Sequence, residues 1–165
     1  MCLHQTIAAT LLLNLPSATT TFVALANMLN RALPLSFLAA DQGAKSSAYN
    51  LVMSTLLSKA PRLHSHLMSS KLSIDFEDYL GSFFSALFTR DLCLDECTRL
   101  WDVYVFEGDS VLVRAGVALL LEREGSLLAA QSREEVLKVF AQGMQKTVAG
   151  RENEWMVKVR AAGKA

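Results

Sequence analysis

The sequence is poor in cysteine, and its first 30 residues contain no Asp, Glu, Lys or Arg. Three cysteines are an odd and low count, which argues against a disulfide framework and favours free thiols in a reducing compartment. The formal net charge is zero, so no overall basic field points to nucleic acid or to an anionic membrane. The zero hides a gradient, because residues 71–126 carry 11 acids and 5 bases whereas residues 133–165 carry 7 bases and 4 acids.

The chain also lacks a hydrophobic run that could span a bilayer. Ile7–Leu15 has nine residues, and a membrane helix needs about 20. A signal peptide stays open as an alternative, because this run has the length of a hydrophobic region and Pro16-Ser17-Ala18 imitates a cleavage site. The absence of Lys and Arg before the run counts against it. We expect Ile7–Leu15 to be a helix buried on most sides, as a chargeless helix normally is.

Two enzyme signatures are missing as well. No Gly-x-Ser-x-Gly elbow occurs, so a serine hydrolase of that type is not indicated. No glycine-rich loop that could cradle phosphates occurs either, so the chain should not bind a nucleotide itself.

Helical periodicity predicts an all-α fold. The predicted helices cover Ile7–Leu15, the stretch from Phe22 until Pro34 ends the helix, Asp41–Lys59, two central segments within 75–107, Val111–Leu121, and a stretch after Ser132. Ser17 is a predicted N-cap, and Ser132 with Glu135 forms a predicted capping box. Leu35–Ala40 should be a short link. We place a helical domain at 1–143 and a loosely ordered tail at 144–165, with at most one short helix around Trp155.

The two central segments read as a pair of core helices. In the second, Cys97, Leu100, Trp101 and Tyr104 fall at i, i+3, i+4 and i+7, which puts them on one face. Asp95, Glu96, Arg99 and Asp102 fall mostly on the other side. In the first, the apolar face consists of Tyr79, Leu80, Phe83, Phe84, Leu87 and Phe88. The first turn of this helix contains the acidic residues Asp75, Glu77 and Asp78, at the end where the helix dipole favours negative charge.

The stretch Phe88–Gly108 resembles the C-terminal signature of the TBC domain, a helical module that activates GTP hydrolysis by Rab small GTPases. The family pattern has a Leu-Phe-Thr-Arg helix end, an acidic pair, Arg-x-Trp-Asp and a Glu-Gly turn, and all of these occur here in order. The resemblance covers Ile7–Phe140. It implies an irregular multi-helix array, the C-terminal part of a TBC-type helical domain.

The resemblance also implies a mechanism that this sequence does not carry in full. TBC domains supply an arginine finger, worth about 10³–10⁵ in rate, and a glutamine that orients the attacking water. The arginine belongs to an upstream Ile-x-x-Asp-x-x-Arg motif, which is absent from these 165 residues. The glutamine belongs to Tyr-x-Gln-Gly-Met, and the family spacing places it at Cys2. Gln5 lies three residues later, before Thr6 rather than Gly.

We therefore expect a partial TBC domain with no catalytic, cofactor-binding or metal-binding residue. In the family, further N-terminal helices cover the helix at Ile7–Leu15. Without them an apolar surface is left uncovered, and such surfaces mark interfaces or aggregation liabilities. The isolated chain should be poorly soluble or marginally stable.

Two clusters have alternative readings. Cys93 and Cys97 lie four residues apart and could join His64 and His66 at a zinc ion. Buried thiols fit better, because free cysteine is usually a core residue, and the resemblance gives His66 a structural role. The acidic middle of the chain is either a solvated face or a surface for a partner.

Three functions follow as hypotheses. The chain is part of a Rab GTPase activator, or a non-catalytic helical module that binds a Rab or another trafficking protein, or a secreted or membrane-associated helical protein with incidental similarity. The resemblance favours the first, a GTPase regulator in vesicle-mediated and intracellular protein transport. It implies a Rab partner, a cytoplasmic location and peripheral endomembrane association through that partner. It implies no cofactor, nucleic acid or integral membrane segment.

Overall fold

The computed structural model describes residues 3–69, 72–141 and 152–163. Within these ranges the chain forms eleven α-helices and no β-strand. They are α1 (Leu3–Asn14), α2 (Ala18–Leu29), α3 (Ala32–Leu38), α4 (Gln42–Lys59), α5 (Pro61–Leu67), α6 (Phe76–Ser85), α7 (Leu94–Glu107), α8 (Ser110–Glu122), α9 (Glu124–Ala129), α10 (Arg133–Ala141) and α11 (Glu152–Ala162). The all-α prediction is confirmed, and α9 is a helix that the periodicity did not predict.

Helix α8 lies at the centre of the core. Nine of its 13 residues are buried, and it packs against α4, α6, α7, α9 and α11. Gly116 faces two of these helices, and a Cβ at this position would make ordinary van der Waals contacts with Val52 of α4 at 3.7 Å and with Phe84 of α6 at 3.8 Å. The predicted helix at Val111–Leu121 is confirmed.

Helix α6 carries an aromatic cluster that joins distant parts of the chain. Its start is capped by Asp75, whose carboxylate accepts the Glu77 N–H at 3.3 Å. The Tyr79 ring stacks on Phe140 of α10 with centroids 5.2 Å apart, and Phe83 stacks on Phe88 at 5.5 Å. Each aromatic pair adds about 0.5–1.5 kcal/mol beyond its buried area.

The prediction that the α6 helix runs on through Phe88 is wrong. The helix ends at Ser85, and the next turn has left-handed backbone at Leu87 (φ 45°) and Phe88 (φ 66°). This conformation costs about 1–2 kcal/mol per L-residue. The Leu87 carbonyl accepts the Trp101 indole N–H at 3.0 Å, and both turn side chains are fully buried. Contacts with α7 therefore offset the cost of the turn.

The apolar face predicted for α7 is confirmed, since all four of its members are buried. Glu96 differs from the prediction because it is 4% exposed, and its carboxylate accepts the Cys93 N–H at 3.4 Å. Arg114 of α8 pairs with Glu107 at the end of α7.

The prediction for Pro34 is also wrong. Helix α2 ends at Leu29, and Pro34 lies in the first turn of α3, where a missing N–H costs no hydrogen bond. Most of the predicted link at Leu35–Ala40 is therefore helical. The predicted N-cap is confirmed, because Ser17 Oγ accepts the Thr20 N–H at 3.1 Å.

The start of α10 resembles the predicted capping box. Ser132 Oγ accepts the Glu135 N–H at 3.2 Å. The Glu135 carboxylate, however, accepts the N–H of Gln131 at 2.7 Å. One of the two hydrogen bonds of a capping box therefore forms. In the other, the Glu135 carboxylate accepts the N–H of Gln131 instead of the N–H of Ser132.

The single short helix expected around Trp155 is α11. Trp155, Met156 and Val159 are buried, where α11 packs on α7 and α8, and Lys158 Nζ lies 2.6 Å from a Glu122 oxygen. Residues 142–151 and 164–165 lie outside the described residues. The division of the chain after residue 143 stays a prediction.

Candidate functional site

A groove with a volume of about 660 Å³ opens between α1, α2 and α7. Its apolar lining comes from Leu11, Leu15, Ala24, Met28, Trp101 and Val105, and its polar lining comes from Thr10, Asn14, Asn27, Arg31, Thr98 and Asp102. A concave apolar surface with a few polar groups is typical of a binding site. We call it the α1–α2–α7 groove.

Beside the groove, α1 and α2 expose large apolar side chains. Leu12 and Leu13 of α1 are 54% and 74% exposed, and Phe22 and Val23 of α2 are 70% and 53% exposed. These four residues define what we call the α1–α2 apolar face. The expectation that Ile7–Leu15 is buried on most sides is therefore wrong, since only Ile7 and Leu11 in that run are buried. An uncovered apolar surface, as expected from the resemblance, is present.

Arg31 fixes the end of the groove by capping α7. Its guanidinium donates to the carbonyl of Tyr104 at 3.1 Å and to that of Val105 at 2.7 Å. It also lies 4.8 Å from the centre of the Tyr104 ring. A cation at this end of α7 is favourable because the last carbonyls carry partial negative charge.

The Tyr104 hydroxyl ties the same corner from the other side by donating to the Met28 carbonyl at 3.2 Å. Burial raises the pKa of Tyr104, which keeps the hydroxyl protonated as a donor. Nearby, Asp109 accepts the Leu33 N–H at 2.8 Å. These contacts fix the connection between α2 and α3 against the end of α7.

A second polar cluster joins α4 to α6. Glu77 accepts hydrogen bonds from Lys45 Nζ at 2.8 Å and from the Tyr49 hydroxyl at 2.6 Å. Burial alone would raise the pKa of Glu77, but these two bonds outweigh it and hold the pKa below its usual value. Because each group is satisfied by a neighbour, the cluster is structural.

Asp91 and Arg123 form a third cluster, which is poorly satisfied. Asp91 is 4% exposed, and its Oδ1 lies 3.9 Å from Arg123 Nη1. Asp91 Oδ2 and both Arg123 Nη atoms have no hydrogen-bond partner within the described part of the chain. Burial raises the pKa of Asp91 to about 6, and the charges of Arg123 and Arg90 only partly counteract it.

The cysteines and histidines lie apart in the fold. Cys97 is buried, and burial raises the pKa of its thiol. Burial likewise raises the pKa of the half-buried Cys93. His66 Nε2 lies 3.0 Å from the Ala130 carbonyl oxygen, which fits the packed role implied for it. Across the described ranges, no three His, Cys, Asp or Glu side chains group closely enough to hold a metal ion.

Five arginines in the described ranges already have partners inside the chain. Arg31 caps α7, and four others pair with carboxylates, Arg99 with Asp102, Arg114 with Glu107, Arg123 with Asp91 and Arg133 with Asp78. Cys2, where the family spacing places the glutamine, lies outside the described residues. Gln5 is exposed on α1.

A comparison with family models decides the classification. The model described as the Rab-GTPase-TBC domain matches residues 4–128, which is most of the chain. The chain belongs to the Rab-GTPase-TBC domain family. Helices α2 to α8 of this TBC chain, all of α1 except Leu3, and the groove lie within the matched residues, whereas α10 and α11 lie beyond them.

Curated relatives give the same classification. TBC1 domain family member 14 of Homo sapiens is 31% identical over 114 residues, which are 69% of this chain and 16% of that protein. TBC1 domain family member 12 of Rattus norvegicus is 34% identical over 122 residues, covering 74% and 17%. Drainin of Dictyostelium discoideum is 31% identical over 114 residues, covering 69% and 25%. The TBC chain thus spans a quarter or less of these relatives.

Sequence reasoning missed Arg31, which lines the groove, and Asp91, which lies in the separate cluster with Arg123. Arg31 carried a usable signal, because it is the first charged residue after 30 uncharged ones. Asp91 carried no usable signal, since its burial depends on helices far along the chain.

In the described ranges no helix combines the length and apolar character needed to cross a membrane.

Proposed function

We propose that this TBC chain contributes the C-terminal helices of a module that regulates a Rab-family GTPase in vesicle-mediated and intracellular protein transport. The family match over residues 4–128 carries the proposal. The Rab partner, the cytoplasmic location and the association with endomembranes through that partner all belong to the proposal, because the chain spans only part of its relatives.

We further propose that residues 1–165 by themselves bind without accelerating hydrolysis. An arginine finger must reach a bound nucleotide, and its absence should forfeit about 10³–10⁵ in rate. These residues contain no Ile-x-x-Asp-x-x-Arg motif, and five of the described arginines are engaged within the chain. In this proposal the chain is a regulator with no active site of its own.

The test is single-turnover GTP hydrolysis by a panel of Rab proteins with residues 1–165 added. A complete TBC domain serves as the positive control. We expect hydrolysis at the intrinsic rate together with measurable binding to at least one Rab in a biosensor assay. Acceleration of the size that an arginine finger produces would contradict the non-catalytic part. Failure to bind any Rab would contradict the partner.

The second candidate is a non-catalytic helical module that binds another trafficking protein. The α1–α2–α7 groove favours it, because it is a formed apolar site without catalytic chemistry. A regulator of hydrolysis should prefer GTP-loaded Rab, since the γ-phosphate orders the switch segments. Equal binding to the GDP-loaded and GTP-loaded forms, or to neither, would favour this second candidate.

A further inference from the structure

Arg123 lies at the boundary of α8 and α9 and has two different groups within its reach. Its guanidinium carbon lies 5.7 Å from the centre of the Phe140 ring of α10, close to the limit of about 6 Å for a cation–π contact. Its Nη1 lies 3.9 Å from Asp91 Oδ1, which is too long for a hydrogen bond. The side chain therefore contacts the ring and stops short of the carboxyl.

This arrangement leaves buried polar atoms unsatisfied. Asp91 Oδ2 and both Nη atoms of Arg123 have no hydrogen-bond partner within the described part of the chain. A guanidinium and a carboxylate that are both charged bond at about 2.7–2.9 Å, and little surrounding water strengthens their attraction. The position of Arg123 therefore fits a protonated Asp91. An ionised Asp91 would draw the guanidinium about 1 Å closer than the 3.9 Å of this structure.

The remaining charged and titratable neighbours of the Asp91 carboxyl are exposed, paired or neutral. Arg90, on the same turn, is exposed, so water screens its charge. Asp78 of α6, which lines a cavity of about 270 Å³ together with Asp91, is paired with Arg133 of α10 at 2.8 Å. Burial raises the pKa of the Cys97 thiol of α7 and keeps it neutral. Ionisation of Asp91 therefore acts mainly on the buried guanidinium beside it.

We propose that Arg123 is a two-position switch that responds to pH. When Asp91 is protonated, the guanidinium lies over Phe140; when Asp91 is ionised, the guanidinium bonds to the carboxylate and leaves the ring. The stack of Tyr79 on Phe140 remains in both states, so the change loosens α10 locally without releasing it. The switch uses no residue of the α1–α2–α7 groove and is independent of the proposed Rab binding.

The test is NMR spectroscopy of residues 1–165 from about pH 5 to about pH 7, a range that brackets the ionisation of a buried carboxyl. The spectra follow the carboxyl carbon of Asp91 and the side-chain Nε–H of Arg123. The Phe140 ring current shifts protons that lie over the ring, and Phe140→Leu gives the signal position without the ring. We expect the Arg123 signal to move towards that position as Asp91 ionises, with the same midpoint. In Asp91→Asn it should stay at its low-pH position.

Arg133 is a matched control within the same spectra. Its partner Asp78 has a lowered pKa and stays ionised over the range, so the Arg133 signal should not move. If a variant fails to fold, the wild type still decides, because the Asp91 and Arg123 signals must titrate together. An Arg123 signal that is independent of pH would overturn the proposal. So would a midpoint different from that of Asp91, or the same movement in Asp91→Asn.

Discussion

Replacing Asp91 with asparagine should remove one pH-dependent component of the stability of this TBC chain. The Asp91 carboxyl is 4% exposed, and its nearest cationic atom is Arg123 Nη1 at 3.9 Å. Burial raises its pKa from 3.8 to about 6. In the unfolded chain this carboxyl is exposed to water and keeps its ordinary pKa. At pH values between the two pKa values, it is therefore mostly protonated in the folded state and mostly ionised in the unfolded state.

The sign follows from proton linkage. A carboxyl with a raised pKa in the folded state contributes most stability below about pH 4, and this contribution falls as the pH rises to about pH 6. A shift of about two pKa units corresponds to about 3 kcal/mol. Glu77, Asp78 and Glu134 have lowered pKa values and act in the opposite direction. The pH dependence of the wild-type free energy of unfolding is therefore the sum of all these contributions. The difference in this free energy between the wild type and Asp91→Asn isolates the contribution of Asp91.

The assay is urea unfolding of both proteins at fixed concentration from about pH 4 to about pH 7. The free energy of unfolding of the wild type, relative to Asp91→Asn, should fall by about 2 kcal/mol across this range, because the unfolded carboxyl is already more than half ionised at about pH 4. Absolute stability at neutral pH is not the readout, because the variant leaves Arg123 buried without a counter-charge. Asp95→Asn, at an exposed position on α7, controls for net charge. Parallel profiles for the wild type and Asp91→Asn would refute the reasoning.

Two further predictions concern packing. Trp101→Phe keeps an aromatic ring but removes the N–H that reaches the Leu87 carbonyl, so urea unfolding should show a loss of about 1–3 kcal/mol; no loss would mean that packing alone holds the left-handed turn. Trp155→Ala removes a side chain that is 2% exposed on α11 and should cost about 3–5 kcal/mol. Val157→Ala, at a 64% exposed position of the same helix, should change stability by no more than about 0.5 kcal/mol. Equal small effects in both would contradict the packing of α11 on the core.

The sequence predicted most helices because their signals are local. Apolar residues at helical spacing marked the buried face of α7, and Ser17 marked the start of α2. The helix boundaries were predicted wrongly where a local sequence signal does not mark the end of a helix. The apolar spacing of α6 continues through Leu87 and Phe88, since a turn can bury these side chains as well as a helix can. Pro34 looked like a terminator, although the first turn of a helix accepts proline.

The sequence by itself determined the helical class, most helix starts, the family signature and the uncharged N-terminal segment. Only the tertiary structure decided where that segment stays exposed, how the groove forms between α1, α2 and α7, and why Arg31 caps a helix that ends more than 70 residues later. The physical reason is the separation along the chain over which each interaction acts. Periodicity and capping act within one helix, whereas the crossing of distant helices decides which apolar face is covered and which carboxyl, such as Asp91, loses its water.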